Sequence, residues 1–229
     1  MTASGTSLPS PLEAFAGRTF DAVLFDMDGT LVDSTASVDR AWRRWAGEFG
    51  LPDADKFRVR HGVPAALVVP SLVPADQVGV AIARIMELEL TDTAGIEVLP
   101  GAADMLAGLP AQRAAIVTSC TRALARARIE ASGLEPPATV VTADDVERGK
   151  PHPEPYHLGA ARLGFEPSRC LVVEDAPAGI RSGKAAGAVV LAVGGTHDLT
   201  ELAEADAGVS GLDQVRFAVG PNGLHLTAA

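Results

Sequence analysis

Two carboxylates, Asp26 and Asp28, stand one residue apart in "AVLFDMDGTLVDS", directly after an apolar run that ends at Phe25. Like charges that close repel each other, and removing them from water is costly. Either the apolar run stops and both acids are solvated, or a cation sits between them. Three further sites in the chain repeat the pattern. "AAIVTS" (114–119) ends in Thr118 and Ser119, "CLVVED" (170–175) ends in Glu174 and Asp175, and Lys150 follows "VVTADDVERG". Taken singly, each has a plain explanation, since acids after strands cap helices or form turns and a lysine is usually solvated. Taken together they make a chemical set. Asp26, Asp28 and Asp175 are hard oxygen donors of the kind Mg²⁺ prefers beside a phosphate oxygen. Ser119 with nearby backbone N–H groups, and Lys150 as a compact cation, suit the other phosphoryl oxygens. One Asp is then free to attack phosphorus. The other can protonate a leaving alcohol and later deprotonate water.

These residues need elements that bring them together. The runs 21–25, 114–119, 138–143, 170–175 and 188–193 are short, rich in β-branched residues and unbroken rather than alternating. Strands buried on both faces read this way. Between them, Arg122–Ser132 reads as a helix stopped by Gly133, and Pro153–Leu163 as one stopped by Gly164. Alternation of this kind predicts an α/β fold: a Rossmann-like three-layer core with a parallel sheet, binding ligands beyond the carboxyl ends of its strands. Residues 35–97 break the rhythm. "STASVDRAWRRWAGEFG" and "ADQVGVAIARIMELEL" read as two helices of a small inserted α-helical unit. "FAVGPNGLHLTA" predicts a β-hairpin at the sheet edge. The first 18 residues, rich in Ser, Pro and Gly, read as a flexible arm.

The bulk numbers narrow the function classes. The chain has 229 residues, 47% of them hydrophobic, enough for a core domain and a smaller insert. Its net charge of −10 argues against a nucleic-acid or anionic-membrane surface, yet leaves room for a small anionic ligand at a local cation. Cys120 and Cys170 form no metal pattern and read as reduced thiols in a cytoplasmic protein. No signal peptide and no span of roughly 20 apolar residues is seen. Spacing gives no oligomeric state, and a monomer suffices for the chemistry.

"DMDGT", "VTS", "GKPHP" and "VVEDAPAG" resemble, in order, the four motifs of the haloacid dehalogenase superfamily, and the insert stands where these enzymes place a helical C1 cap. The resemblance covers about 20–212. It implies a flexible arm at 1–18, a hydrolase core at 19–34 and 98–229, and a cap at 35–97. It makes Asp26 the nucleophile and Asp28 the general acid/base. It has Ser119, Cys120 and Lys150 holding the phosphoryl group. Mg²⁺ falls to Asp26, Asp28 (through its backbone carbonyl), Asp175 and Glu174. The sugar phosphatases of this subfamily, on 2-deoxyglucose 6-phosphate or hexitol phosphates, are similar in "RAWRRWA", "AIVTS", "ARAR" and "RGKP". The implied activity is Mg-dependent hydrolysis of a small sugar or polyol phosphate, with glycerol-3-phosphatase and a non-catalytic phospho-ligand sensor as lesser alternatives.

The β-phosphoglucomutases are the main alternative, since they share all four motifs. They carry a His in the first cap helix and an Arg after a Gly-Val pair, where this chain has Val38 and Ala65. That favours hydrolysis over a second phosphoryl transfer. Cys120 departs from the Gly that often follows "TS", and reads as an inert side chain with a usable backbone N–H. His61 reads either as a cap contact to substrate hydroxyls or as a surface His. Trp42 and Trp45, three apart on one helix, read as packing.

Overall fold

The computed structural model describes residues 8–59 and 63–229. The helix α1 (Pro11–Ala14) comes first, then the strand β1 (Ala22–Phe25) and a short β2 (Val32–Asp33). Three helices follow: α2 (Thr35–Glu48), α3 (Ala65–Val68) and α4 (Val78–Thr91). The chain returns through β3 (Glu97–Val98), α5 (Ala102–Ala107), β4 (Ala114–Val117), α6 (Arg122–Ser132) and β5 (Thr139–Val141). It continues with α7 (Glu154–Leu163), β6 (Cys170–Glu174), α8 (Pro177–Ala185), β7 (Val189–Val193) and β8 (Ala207–Val209). A hairpin of β9 (Val215–Gly220) and β10 (Gly223–Ala228) ends it.

Six strands pair in the order β5-β4-β1-β6-β7-β8, all parallel. The chain builds outward from β1 to β5, then crosses over and builds outward again from β6. That reversal opens a crevice at the carboxyl ends of the central strands. Successive residues point to opposite faces. Val23 and Phe25 therefore join one apolar cluster with Met105 and Leu124, while Ala22 and Leu24 join another with Tyr156 and Ile180. These two clusters and the sheet between them are the expected three-layer Rossmann-like core.

The segment from α2 to α4 has an apolar cluster of its own, around Trp42, Trp45, Ile85 and Leu88. Trp42 and Trp45 meet edge-to-face at 5.2 Å, and the Trp45 indole N–H donates to the Ala81 carbonyl at 2.8 Å, so α2 and α4 are stapled together. Its two ends meet where β2 pairs antiparallel with β3. There the Arg40 guanidinium forks onto Asp92 at 2.8 and 2.9 Å.

Two expectations are corrected. The terminal hairpin forms its own two-stranded sheet and not an edge of the main one; it bridges Phe20, just before the central strand, through Leu224. The true edge is β8, whose three residues "AGV" carry too little β-branched character to stand out in sequence. Within the described residues, the N-terminal arm is packed: Phe15 is buried edge-on against Phe20 at 5.7 Å, and the Pro9 carbonyl accepts from Gly208 N.

Candidate active site

Asp26, Ser119, Glu174 and Asp175 leave the sheet at the carboxyl ends of strands. Asp26 follows β1, its backbone N–H carrying the ladder one step further to the Val173 carbonyl at 2.9 Å. The chain then doubles back, with Leu31 and Val32 N–H both donating to the Met27 carbonyl. Gly29 permits this turn. Its φ is +84°, and a Cβ there would stand 2.1 Å from Asp175 Oδ2. Lys150 lies in the loop between β5 and α7. Glu154 pins that loop by accepting from the Glu147 and Arg148 N–H groups, and Ser182 Oγ pins it by donating to the His152 carbonyl at 2.5 Å. Glu174 ends β6, and Asp175 follows it.

A deep cluster forms around Lys150. Its Nζ donates to Asp26 Oδ1 at 2.5 Å and to Glu174 Oε1 at 2.7 Å. Glu174 Oε1 also accepts from the Tyr156 hydroxyl at 3.0 Å, and Oε2 accepts from the Asp175 and Ala176 N–H groups, both at 3.0 Å. All four lone-pair directions of Glu174 are therefore filled by protein, which suits it to organising the cluster. A Cβ at Gly179 would stand 1.5 Å from Glu174 Oε1, so that position has no room for a side chain. Asp175 accepts from Thr30 Oγ1 at 3.4 Å and from the Thr196 hydroxyl. Asp26 Oδ2 accepts no hydrogen bond among the described residues, and Asp26 lines the cavity.

The electrostatics of this cluster are unbalanced. Asp26, Glu174 and Asp175 each bring a carboxylate oxygen within 4.8 Å of the others, and all three are buried. Burial pushes Asp26 up to about 7 against the pull of Lys150, with Glu174 adding to the rise. Burial, then the charges of Glu174 and Asp26, push Asp175 well above the carboxylate range. One lysine does not offset three dry carboxylates. A hard divalent cation would, and the all-oxygen donor set fits one.

Asp28 belongs to a second, shallower cluster. Its Oδ1 accepts from Ser34 Oγ at 2.6 Å and pairs with Arg128 Nη1 at 2.8 Å. Its Oδ2 accepts from the Cys120 thiol at 3.1 Å. Arg128 Nη2 reaches Glu89 Oε2 at 3.8 Å, and Glu89 Oε1 accepts from the Trp42 indole N–H at 3.0 Å. The carboxylate of Asp28 thus stands outside the group formed by Asp26, Glu174 and Asp175. Burial first, and then Asp28, push the Cys120 thiol well up, so Cys120 is a neutral donor to Asp28 and no nucleophile. Its N–H, expected to face a phosphate, is taken by Thr118 Oγ1 at 3.1 Å. Ser119 lines the cavity, and its hydroxyl has no partner among the described residues. His61 lies outside the described residues.

Both clusters border one cavity of about 480 Å³. Its far wall comes from α2 and α4, through Val38, Trp42, Ile82 and Met86. Sequence reasoning missed Arg128, Glu89, Ser34, Tyr156 and Thr196. Glu89 carries a visible signal, because it lies one helical turn from Ile85 on an otherwise apolar face. Arg128 carries a weaker one, as a cation in a helix whose neighbours Leu124 and Ala125 are buried.

A family model for haloacid dehalogenase-like hydrolases matches residues 20–187. The chain is 43% identical over 208 residues to hexitol phosphatase A of Escherichia coli (strain K12), covering 87% of this chain and 95% of that protein. It is 31% identical over 226 residues to 2-deoxyglucose-6-phosphate phosphatase 1 of Saccharomyces cerevisiae (strain ATCC 204508 / S288c), covering 88% and 91%. CbbY from Rhodobacter sphaeroides, solved in complex with phosphate, shares the fold with a TM-score of 0.69 at 25% identity, over 84% of this chain and 95% of that one. The chain belongs to the haloacid dehalogenase-like hydrolase family, and its curated relatives place it among that family's phosphoric monoester hydrolases. No helix of the described residues is long and apolar enough to cross a membrane.

Proposed function

We propose that this protein hydrolyses a small phosphomonoester, a sugar or polyol phosphate, with Mg²⁺ at Asp26 and Asp175 and with the phosphoryl group carried transiently on Asp26. One observation supports this most. Asp26 directly follows the central strand with Oδ1 held by Lys150, while Oδ2 accepts no hydrogen bond among the described residues. A nucleophilic carboxylate needs one fixed oxygen and one free one.

The chain's own groups divide the work. Asp26 Oδ2 attacks phosphorus in line with the leaving alcohol, forming an O–P bond as the ester O–P bond breaks. The Ser119 hydroxyl and Lys150 hold the non-bridging oxygens. Asp28 delivers a proton to the leaving alkoxide. The resulting carboxylate then takes a proton from the water that cleaves the aspartyl-phosphate, which restores both acids. When bound, the cation neutralises charge on the transferring oxygens. Glu174, with its lone pairs filled, serves that site by orienting Lys150 and the 174–176 backbone. Residues 35–97 act as a cap, and its apolar wall excludes bulk water from the cavity.

The sugar or polyol assignment rests on kinship with hexitol phosphatase A and 2-deoxyglucose-6-phosphate phosphatase 1. Val38, an aliphatic residue on the cavity wall, favours hydrolysis over a mutase. Asp26→Asn is expected to release no phosphate from any substrate while keeping the wild-type circular-dichroism spectrum; retained turnover would overturn the nucleophile. A chelator is expected to stop the reaction and Mg²⁺ to restore it. A panel of hexitol phosphates, 2-deoxyglucose 6-phosphate and glycerol phosphates, read by phosphate release, ranks the alcohols. Interconversion of hexose 1- and 6-phosphates without phosphate release would replace hydrolysis with the mutase reading.

A further inference from the structure

Arg128 is absent from the four motifs, yet it is the most heavily buried arginine among the described residues, with 4% of its surface exposed. A buried guanidinium persists only where its partners compensate for lost hydration. Its partners come from two separately packed parts of the chain. One is Asp28, on the loop after the central strand, at 2.8 Å. The other is Glu89, on α4, at 3.8 Å. Arg128 Nη1 also donates to Cys120 Sγ at 3.3 Å, which itself donates to Asp28 Oδ2. Glu89 is anchored in turn by the Trp42 indole. A continuous polar chain, Trp42–Glu89–Arg128–Asp28, therefore runs from the helical segment to the carboxylate assigned the proton transfer.

Geometry decides what this chain does. Arg128 and Ser34 both hold Asp28 Oδ1, so only Oδ2, whose partner is a weak thiol donor, is left to carry and deliver a proton. A planar guanidinium fixed at one end by Glu89 sets the plane and direction of the carboxylate at the other. We propose that Arg128 is a positioning residue that aims Asp28 Oδ2 at the leaving oxygen, with Glu89 of α4 as its anchor. This rests on Asp28 acting as the general acid. Proton delivery matters most for a poor leaving group, so a mis-aimed acid costs rate in proportion to how badly the leaving oxygen needs its proton.

Phenyl phosphate and 4-nitrophenyl phosphate test this. They are nearly the same shape and offer no hydroxyls to the cavity, but the first has the poorer leaving group. The quantity to measure is kcat/KM, which reports transfer to Asp26. For Arg128→Met, a loss of about 30-fold on phenyl phosphate is expected against about 3-fold or less on 4-nitrophenyl phosphate, a partial loss of the roughly 10²–10⁴-fold that a general acid supplies. Arg128→Lys keeps the charge but cannot span Asp28 and Glu89 at once. It should show the same selectivity at smaller size, and it decides the matter if the Met variant does not fold. Equal losses on both substrates, or none, would overturn the positioning role. Asp28→Asn is the control. If it too loses both substrates equally, the acid assignment falls and the inference with it. If Asp28→Asn discriminates and neither Arg128 variant does, the inference alone falls.

Discussion

Asp26 and Asp28, two positions apart in sequence, enter different ion clusters among the described residues, and these are built on opposite plans. In the deep one, Lys150 serves Asp26 and Glu174, and all the partners come from the core: the sheet, its edge loops and, through Tyr156, α7. The side chains of Lys150 and Glu174 are 4% and 1% exposed. In the shallow one, Arg128 serves Asp28 and Glu89, which belong to two separately packed parts, and those acids are 23% and 14% exposed. The anchors of the first cluster all belong to the core, on the sheet, its loops and the helices α7 and α8 packed on it. The second holds its geometry only while α4 is seated on α6. A group that must keep one position through the reaction suits the first plan. A group whose aim depends on closure suits the second.

That contrast can be broken by removing each cation. Lys150→Met strands carboxylates in a dry site and is expected to cost about 3–5 kcal/mol in urea unfolding. Added Mg²⁺ should recover part of that loss, because the cation then stands alone against the same acids. Arg128→Met leaves acids that water can reach, and about 1–3 kcal/mol is expected. Equal losses would erase the distinction. Gly179→Ala sharpens the deep plan. Its Cβ would collide with Glu174 Oε1, so a loss of about 1–3 kcal/mol is expected together with a collapse in kcat. Trp42→Phe sharpens the shallow one by removing the donor to Glu89 Oε1, for about 1 kcal/mol and a smaller effect on turnover.

The smallest effect belongs to the surface of the helical segment. Hydrogen bonding to Arg84, then Arg44, holds Glu48 down to about 2 from the ordinary 4.5, against burial. A depressed folded-state pKa contributes stability that is present above pH 4.5 and lost as pH falls towards 2. The Glu48 side chain is 34% exposed and screened, so the contribution is small. Acid titration of the thermal midpoint should show only a slight added fall for wild type over Glu48→Gln in that window.

Much of this was legible in the chain. The strands carrying Asp26, Ser119 and Glu174 were readable because double burial enforces continuous apolar runs. The helices ending at Gly133 and Gly164 were readable because their stop signals are local. β8 was not readable, since three residues of "AGV" gain their strand character from pairing with β7. The hairpin was readable, but its place was not, because a turn motif fixes pairing within the ribbon and nothing beyond it.

For the site, the sequence by itself determined which groups could do the chemistry. Two acids one residue apart, a hydroxyl, a lysine and a second acid pair, each after an apolar run, must converge when the runs become neighbouring parallel strands. Only the tertiary structure decided how the groups are used. It filled every lone pair of Glu174, took up the Cys120 N–H, and turned Asp28 away from the metal-competent cluster towards Arg128. It also enlisted Arg128 and Glu89, which sit 39 positions apart on helices with no motif. The existence of the buried strands follows from periodicity along the chain. The meeting of two helix faces depends on how separately packed units seat on each other, and no spacing in the sequence encodes that.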